Sequence, residues 1–362
     1  MTAGEAVGET TRAVTTAEAR DLLRNLVGTP SPSGDEAAAA RVLVEFFRSH
    51  GREVATDAVG NVRAPGDDAL LLTSHVDTVP GELPVEVTDE GGEAVLNGRG
   101  SVDATGALAA MAAAAVRTGA SFAGVVGEET DSRGARHLID DRAAPDAVVN
   151  GEPSGWDGIA LGYRGLLAGT YRATTAAAHG ARPEANAVDL AMDWWAAATD
   201  ALSAHGPTDD PDADVFDRVT ATPRTVDGGP TDDGTATAAT LEARFRLPPG
   251  TDPEAAAATV EAVTDRGEIE WGQSIQPWLG TPRCDLARAF RVAVRDAGGE
   301  PRHVRKTGTC DANLFAAAWD RPVVTYGPGD SSLDHTPDER LSLPAFDRSL
   351  AVLTHVATEV CG

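Results

Sequence analysis

Three apolar runs of the sequence end in side chains that can bind a metal ion. "LLLTSHVD" closes on His75 and Asp77, "FAGVVGEE" on Glu128 and Glu129, and "PDAVVNGE" on Glu152. Asp103 in "NGRGSVDATG" and His335 in "SSLDHTPDE" add two more. Imidazole nitrogens and carboxylate oxygens together are the donor set of a divalent cation such as Zn²⁺. Each residue has an ordinary alternative. The chain has eight histidines, and most histidines are structural. Glu128 and Glu129 could be a solvated acidic turn, Asp77 could close a turn, and Asp103 could cap the helix that follows, alone or in addition to binding metal. The coincidence outweighs these alternatives, because separate segments each bring a metal-capable group to the end of a strand or the start of a helix.

Those groups need elements to hold them. "TTAEARDLLRNLV" and "DEAAAARVLVEFFRSHG" read as amphipathic helices split by a Pro/Ser/Gly turn, with Asp35 and Glu36 in the first turn of the second. "ALLLTSHV", "FAGVVGEE" and "PDAVVNGEP" read as buried strands, and the alanine-rich "DATGALAAMAAAAVRTG" between the first two reads as a helix. This alternation predicts a three-layer α/β domain with a mainly parallel sheet. In such a sheet ligands bind where the carboxyl ends of the strands open, and that is where the candidate groups fall. After Gly162 the order becomes β-α-β-β-α-β, the split motif of ferredoxin-like domains. Helix and apolar strand return near 281. The expected organisation is a catalytic domain in two parts, 1–162 and 279–362, with a ferredoxin-like α+β lid and dimerisation domain, 163–278, inserted.

Composition narrows the possibilities further. With 56 acidic and 30 basic residues the net charge is −26, Lys306 is the only lysine, and the acids are spread along the whole chain. That speaks for a solvated acidic surface and against binding to nucleic acid or anionic membrane. Self-repulsion of this size is relieved when molar salt shortens the screening length to about 3 Å, so a halophilic source is expected. No apolar run reaches the roughly 18 residues of a membrane span, and the first residues lack the basic and apolar pattern of a signal peptide. A cytoplasmic protein is expected. Cys284, Cys310 and Cys361 are too scattered for a zinc ribbon or a disulfide framework.

Taken in order, "SHVDTVP", "GRGSVDATGALAA", "GEETDSRGARHL" and "DHTPDE" resemble the successive signatures of the M20 family of co-catalytic metallopeptidases and amidohydrolases. The family includes acetylornithine deacetylase, succinyl-diaminopimelate desuccinylase and carboxypeptidases, and the likeness runs from about residue 17 to the C-terminus. It implies two divalent ions, Zn²⁺ or Co²⁺. His75, Asp103 and Glu152 would hold one ion, and Asp103, Glu129 and His335 the other, with Asp103 bridging. Asp77 would accept a hydrogen bond from the ring of His75, and Glu128 would be the general base. His179 in "AAAHGARPEANAV" would stabilise the oxyanion, reaching across the interface of a homodimer.

"GEPSGWDGIALGYRG" and "KTGTCDANLF" most resemble the branch that hydrolyses lysine or ornithine off a small acidic amino-group carrier protein. The resemblance implies an amidohydrolase acting on linear amides, with Arg246, Thr309, Asp311 and Asn313 as substrate contacts. Cys310 stands where serine is more usual. The basic stretch "PRHVRK", with Arg302, Arg305 and Lys306, is expected to receive the carrier; its ordinary alternative is pairing with nearby acids. Acetylornithine deacetylase or another N-acyl-amino-acid deacylase is an alternative that keeps the chemistry, and an inactive metal-binding homologue is one that drops it. Nucleophilic catalysis by Cys310 is disfavoured because no histidine adjoins it in sequence and the neighbouring aspartate would raise its pKa.

Overall fold

Strands Asp67–His75, Ala120–Val125 and Val148–Gly151 lie side by side and parallel at the centre of the main sheet. Their register sets up the site. His75 stands opposite Val125 and Ser74 opposite Gly151, so Glu128 and Glu152 follow within three residues of the same sheet edge. The structure, a computed structural model, describes residues 14–178, 183–208, 210 and 212–362. Val323–Thr325 adds a further parallel strand beside Val148–Gly151, while Val62–Ala64 and Gly158–Tyr163 pair antiparallel further out. All residues of Ala120–Val125 and Val148–Gly151, and the last six of Asp67–His75, are buried. Strands buried on both faces require layers on both sides, as the continuous apolar runs predicted.

The alanine-rich helix is Thr105–Thr118, buried over almost its whole length. Alanine at Ala107, Ala109, Ala110 and Ala112–Ala115 keeps its radius small enough to pack among the sheet and the helices Thr16–Val27 and Leu343–Cys361. It ends at Gly119, whose left-handed conformation closes the last turn. The two N-terminal helices are Thr16–Val27 and Ala37–Ser49. Glu36 precedes the second helix instead of joining its first turn; it is buried, and its carboxylate binds Arg133 at 2.6 Å.

Contacts divide the chain into two compact units. Among the described residues, one comprises those of 14–161, 280–304 and 318–362, and the other those within 162–279 and 305–317. The second unit contains Gly165–Ala176, Ala187–Ser203, Thr220–Pro230, Ala236–Leu247, Pro253–Ala262 and Glu268–Ile275 in β-α-β-β-α-β order. Its four strands form one antiparallel sheet in which the first strand lies between the third and the fourth, the arrangement of a ferredoxin-like domain. Tyr171 stacks on Trp194, with ring centroids 4.6 Å apart, between this sheet and its first helix. An antiparallel sheet of Glu86–Glu90, Glu93–Asn97 and Arg340–Ser342 was not anticipated from sequence.

No helix among the described residues is long and apolar enough to cross a membrane.

Candidate metal centre

Asp103 lies between two imidazoles. Its Oδ1 is 3.1 Å from His75 Nε2 and its Oδ2 is 3.0 Å from His335 Nε2. The same His335 nitrogen is 3.0 Å from Glu129 Oε1. Donor atoms of His75, Asp103 and Glu129 all lie within 4.8 Å of one another. Glu152 is buried, and its charge, like that of Glu128, acts on His75. His75, Asp103, Glu129 and His335 are thus brought together at the sheet edge in the first unit, and the charges of Glu128 and Glu152 reach His75.

The field there is strongly negative. Burial disfavours a charged ring at His75, yet the hydrogen bond with Asp103 and the charges of Glu152, Asp103 and Glu128 outweigh it and raise the pKa well above the ordinary value. Hydrogen bonds with Asp103 and Glu129 push His335 up to about 10. For Asp103, burial opposes ionisation, but the two imidazoles hold its carboxyl below the usual carboxylate range. A pocket whose carboxylates draw protons onto both histidines is one that a divalent cation can occupy in their place. The nitrogen and oxygen donors present fit Zn²⁺ or a similar ion.

The expected role of Asp77 needs correcting. Its carboxylate is 3.8 Å from His75 Nδ1, whereas its backbone carbonyl accepts from that nitrogen at 2.7 Å. The carbonyl therefore orients the ring. The carboxylate, with Asp77 0% exposed, accepts instead from the backbone N–H groups of Glu128 and Glu129, both at 3.1 Å, and from the Ser33 hydroxyl at 2.7 Å. Asp77 thus fixes the turn that aims both glutamates. Gly127 opens that turn at φ 77°, where a Cβ would lie 2.3 Å from the Arg133 guanidinium. Nor does Asp103 cap the alanine-rich helix: Ala104 holds the cap position, and no side chain bonds there.

The chain is similar to known proteins. The family model described as peptidase family M20/M25/M40 matches residues 71–359. The chain belongs to this family. A protein of Deinococcus radiodurans named LysW-lysine hydrolase is 39% identical over 358 residues, 95% of this chain and 97% of that protein. A tripeptidase structure from Staphylococcus aureus has TM-score 0.78 at 19% identity, with 97% of this chain and 100% of that chain covered. A Bacillus subtilis structure described as a dinuclear metal binding peptidase of the M20 family has TM-score 0.66 at 13% identity, with 95% and 98% covered.

Other expected site residues of this M20 chain lie in the second unit. Arg246 donates to the Thr309 hydroxyl at 3.0 Å. Asp311 is buried at the start of the helix Asp311–Ala318. Asn313 departs from its expected role. It is buried, and its amide donates to the carbonyls of Gln276 and Arg164 and accepts from the Cys310 N–H, so it fastens its own loop instead of facing a ligand. Arg302 is paired with Asp157 at 2.7 Å in the first unit, and Arg305 with Asp214 at 3.0 Å and Asp217 at 3.2 Å in the second. Lys306 closes the same strand, Arg302–Lys306. His179 lies outside the described residues.

Sequence reasoning missed three supports. Ser33 and Glu339 hold ligand-bearing turns through backbone or carboxylate contacts. Arg164 is buried and donates to the carbonyls of Thr307, Val215 and Arg218 and to the Thr220 hydroxyl. Burial, with help from Arg246 and Arg218, lowers its pKa to about 10. Glu339 and Arg164 stood inside quoted motifs, but nothing in their spacing said that they would turn inward.

Proposed function

We propose that this chain is a metal-dependent amidohydrolase that releases lysine, and its shorter homologue ornithine, from the C-terminal glutamate of a small acidic amino-group carrier protein of the LysW kind. The reaction class is supported by one observation above all: the two oxygens of Asp103 face two different imidazoles, with Glu129 beside His335 and the charge of Glu152 acting on His75. The substrate class is supported by the 39% identical lysine hydrolase, to which nearly the whole chain aligns.

In this reading His75, Asp103 and Glu152 hold one ion and Asp103, Glu129 and His335 the other, with Zn²⁺ or Co²⁺ as the metal. Such ions, when bound, supply Lewis acidity to the acyl carbonyl and to a water. Glu128 does the proton work. It takes a proton as the water oxygen bonds to the acyl carbon, and passes that proton to the α-amino nitrogen as the C–N bond breaks. The Asp77 carboxylate keeps Glu128 in place through its backbone N–H. His179 is the proposed oxyanion partner, Arg246, Thr309 and Asp311 the proposed substrate contacts, and a homodimer the proposed assembly. One methylene separates lysine from ornithine, worth only about 1–3 kcal/mol of discrimination, so one site can serve both.

Arg302 and Arg305 are already paired internally. Carrier docking is proposed at Arg302 and Arg305, with Lys306 closing their strand, where exposed ion pairs with Asp157, Asp214 and Asp217 can exchange for acids of the carrier. Reversing both arginine charges should raise KM for the carrier conjugate and leave KM for a small N-acyl amino acid unchanged; equal effects on the two would remove this docking face.

Metal removal tests the reaction class. Treatment with chelator should abolish release of lysine from the carrier conjugate, and added Zn²⁺ or Co²⁺ should restore it. Full turnover by metal-free protein would overturn the assignment.

A further inference from the structure

We propose that the Arg99–Glu339 ion pair is a positioning device that sets Asp103 and His335 at ligand spacing, and thereby controls the affinity of the ion those two residues share. The inference rests on the reading of Asp103 and His335 as metal ligands, and it concerns residues outside that ligand set.

Glu339 is 2% exposed and uses both carboxylate oxygens. Its Oε1 accepts from the backbone N–H groups of Val102 and Asp103, each at 3.1 Å, and its Oε2 accepts from Arg99 Nη1 at 2.8 Å. Arg99 Nη1 also donates to the Thr336 carbonyl, next to His335, and Arg99 Nε donates to the Gly81 carbonyl, both at 3.1 Å. The Glu339 carbonyl in turn accepts from the Gly98 N–H at 3.3 Å. One carboxylate and one guanidinium thus join the turn that carries Asp103 to the turn that carries His335.

Other bonds also shape these turns, among them Ser101 N–H to Gly98, Thr105 N–H to Gly100 and Thr336 N–H to Leu333, and the strand Arg340–Ser342 pairs with Glu93–Asn97 beside them; the Arg99–Glu339 pair is what ties the N–H of Asp103 itself to the segment after His335. The helix after Asp103, Thr105–Thr118, has Ala104 at its cap position and no side-chain cap, so helix capping does not fix the preceding loop. The His335 side chain is 49% exposed, and its backbone sits at φ 62°, a left-handed conformation that a residue with a Cβ adopts at some strain. His75 differs. It is 2% exposed at the end of a central strand, and its ring is bonded to the Asp77 carbonyl. Asp103 serves both ions in this reading and His335 only one, so loosening the Arg99–Glu339 pair should act mainly on the ion held by Asp103, Glu129 and His335 and less on the one held at His75 and Glu152.

Glu339→Gln is the direct test. A glutamine of the same shape presents an amide NH₂ either to the Arg99 guanidinium or to the two backbone N–H groups, so a donor faces a donor in both orientations. Arg99→Lys keeps the charge but cannot reach Glu339, Thr336 and Gly81 together. Each full-length protein is stripped of metal and titrated with Zn²⁺ against a chromophoric chelator, with circular dichroism and thermal unfolding recorded alongside. Wild type should bind two equivalents. In Glu339→Gln one equivalent should weaken at least tenfold and the other stay within threefold, with an unchanged folded spectrum; Arg99→Lys should fall between. Wild-type affinity for both equivalents in Glu339→Gln would overturn the proposal, as would equal weakening of both with a large drop in unfolding temperature. Wild type that binds no Zn²⁺ would remove the metal centre itself, and this device with it.

Discussion

Adjacent glutamates have different surroundings here because one aspartate holds the backbone of both. Asp77 Oδ1 accepts from the Glu128 N–H and Oδ2 from the Glu129 N–H, and Glu129 meets His335, while Glu128 is the proposed base. Glu128→Gln keeps the shape and removes the base, so kcat should fall about 10²- to 10⁴-fold with both metal equivalents still bound; kinetics paired with metal analysis of the same sample check this. Asp77→Ala should do more widespread damage. It leaves two N–H groups and the Ser33 hydroxyl without their acceptor, each worth about 1–3 kcal/mol when buried. Denaturant unfolding should show a loss of at least 2 kcal/mol, together with lower kcat, and a stability change within error would contradict the described role. At this scale the sequence made the residue types legible, because histidine, aspartate and glutamate at strand ends leave few other chemistries. It did not show which atom of Asp77 meets His75. That depends on the turn after His75, where a carbonyl at 2.7 Å displaces a carboxylate at 3.8 Å. Asn313 was misread for a related reason: an amide in a loop suits a ligand and a backbone equally well until the loop's own carbonyls are located.

Elements with a strong period were readable, and elements without one were not. The alanine-rich helix and the continuous apolar strands announced a sheet covered on both faces, and the register of Asp67–His75 against its neighbours brought their tips together. The strand Glu86–Glu90 carries acids and no buried residue, so its alternation has no contrast to detect. The second unit's order was legible, but its internal fastening by Arg164 was not, because an arginine between glycine and tyrosine reads as exposed. Arg164→Met removes four hydrogen bonds from the loop near Thr307 and the segment Val215–Thr220. The expected result is a loss of about 2–4 kcal/mol in denaturant unfolding, and a change under about 0.5 kcal/mol would show that the contacts are incidental.

Across the whole molecule the net charge of −26 dominates. Raising salt from about 0.1 M to 1 M shortens the screening length from about 10 Å to 3 Å, so the unfolding temperature should climb steadily over that range as repulsion is screened. A flat or falling curve would mean that the acidic surface carries no net repulsive cost. Screening also bears on the partner, since an acidic carrier meets an acidic enzyme with less repulsion at high salt. The most direct measurement is therefore made in molar KCl with Zn²⁺ or Co²⁺: amino-acid release from carrier-linked lysine, carrier-linked ornithine and N-acetylornithine, compared as kcat/KM. The carrier conjugates should be hydrolysed far more efficiently than N-acetylornithine. Preference for N-acetylornithine would contradict the carrier-dependent function while leaving the metal centre where it is.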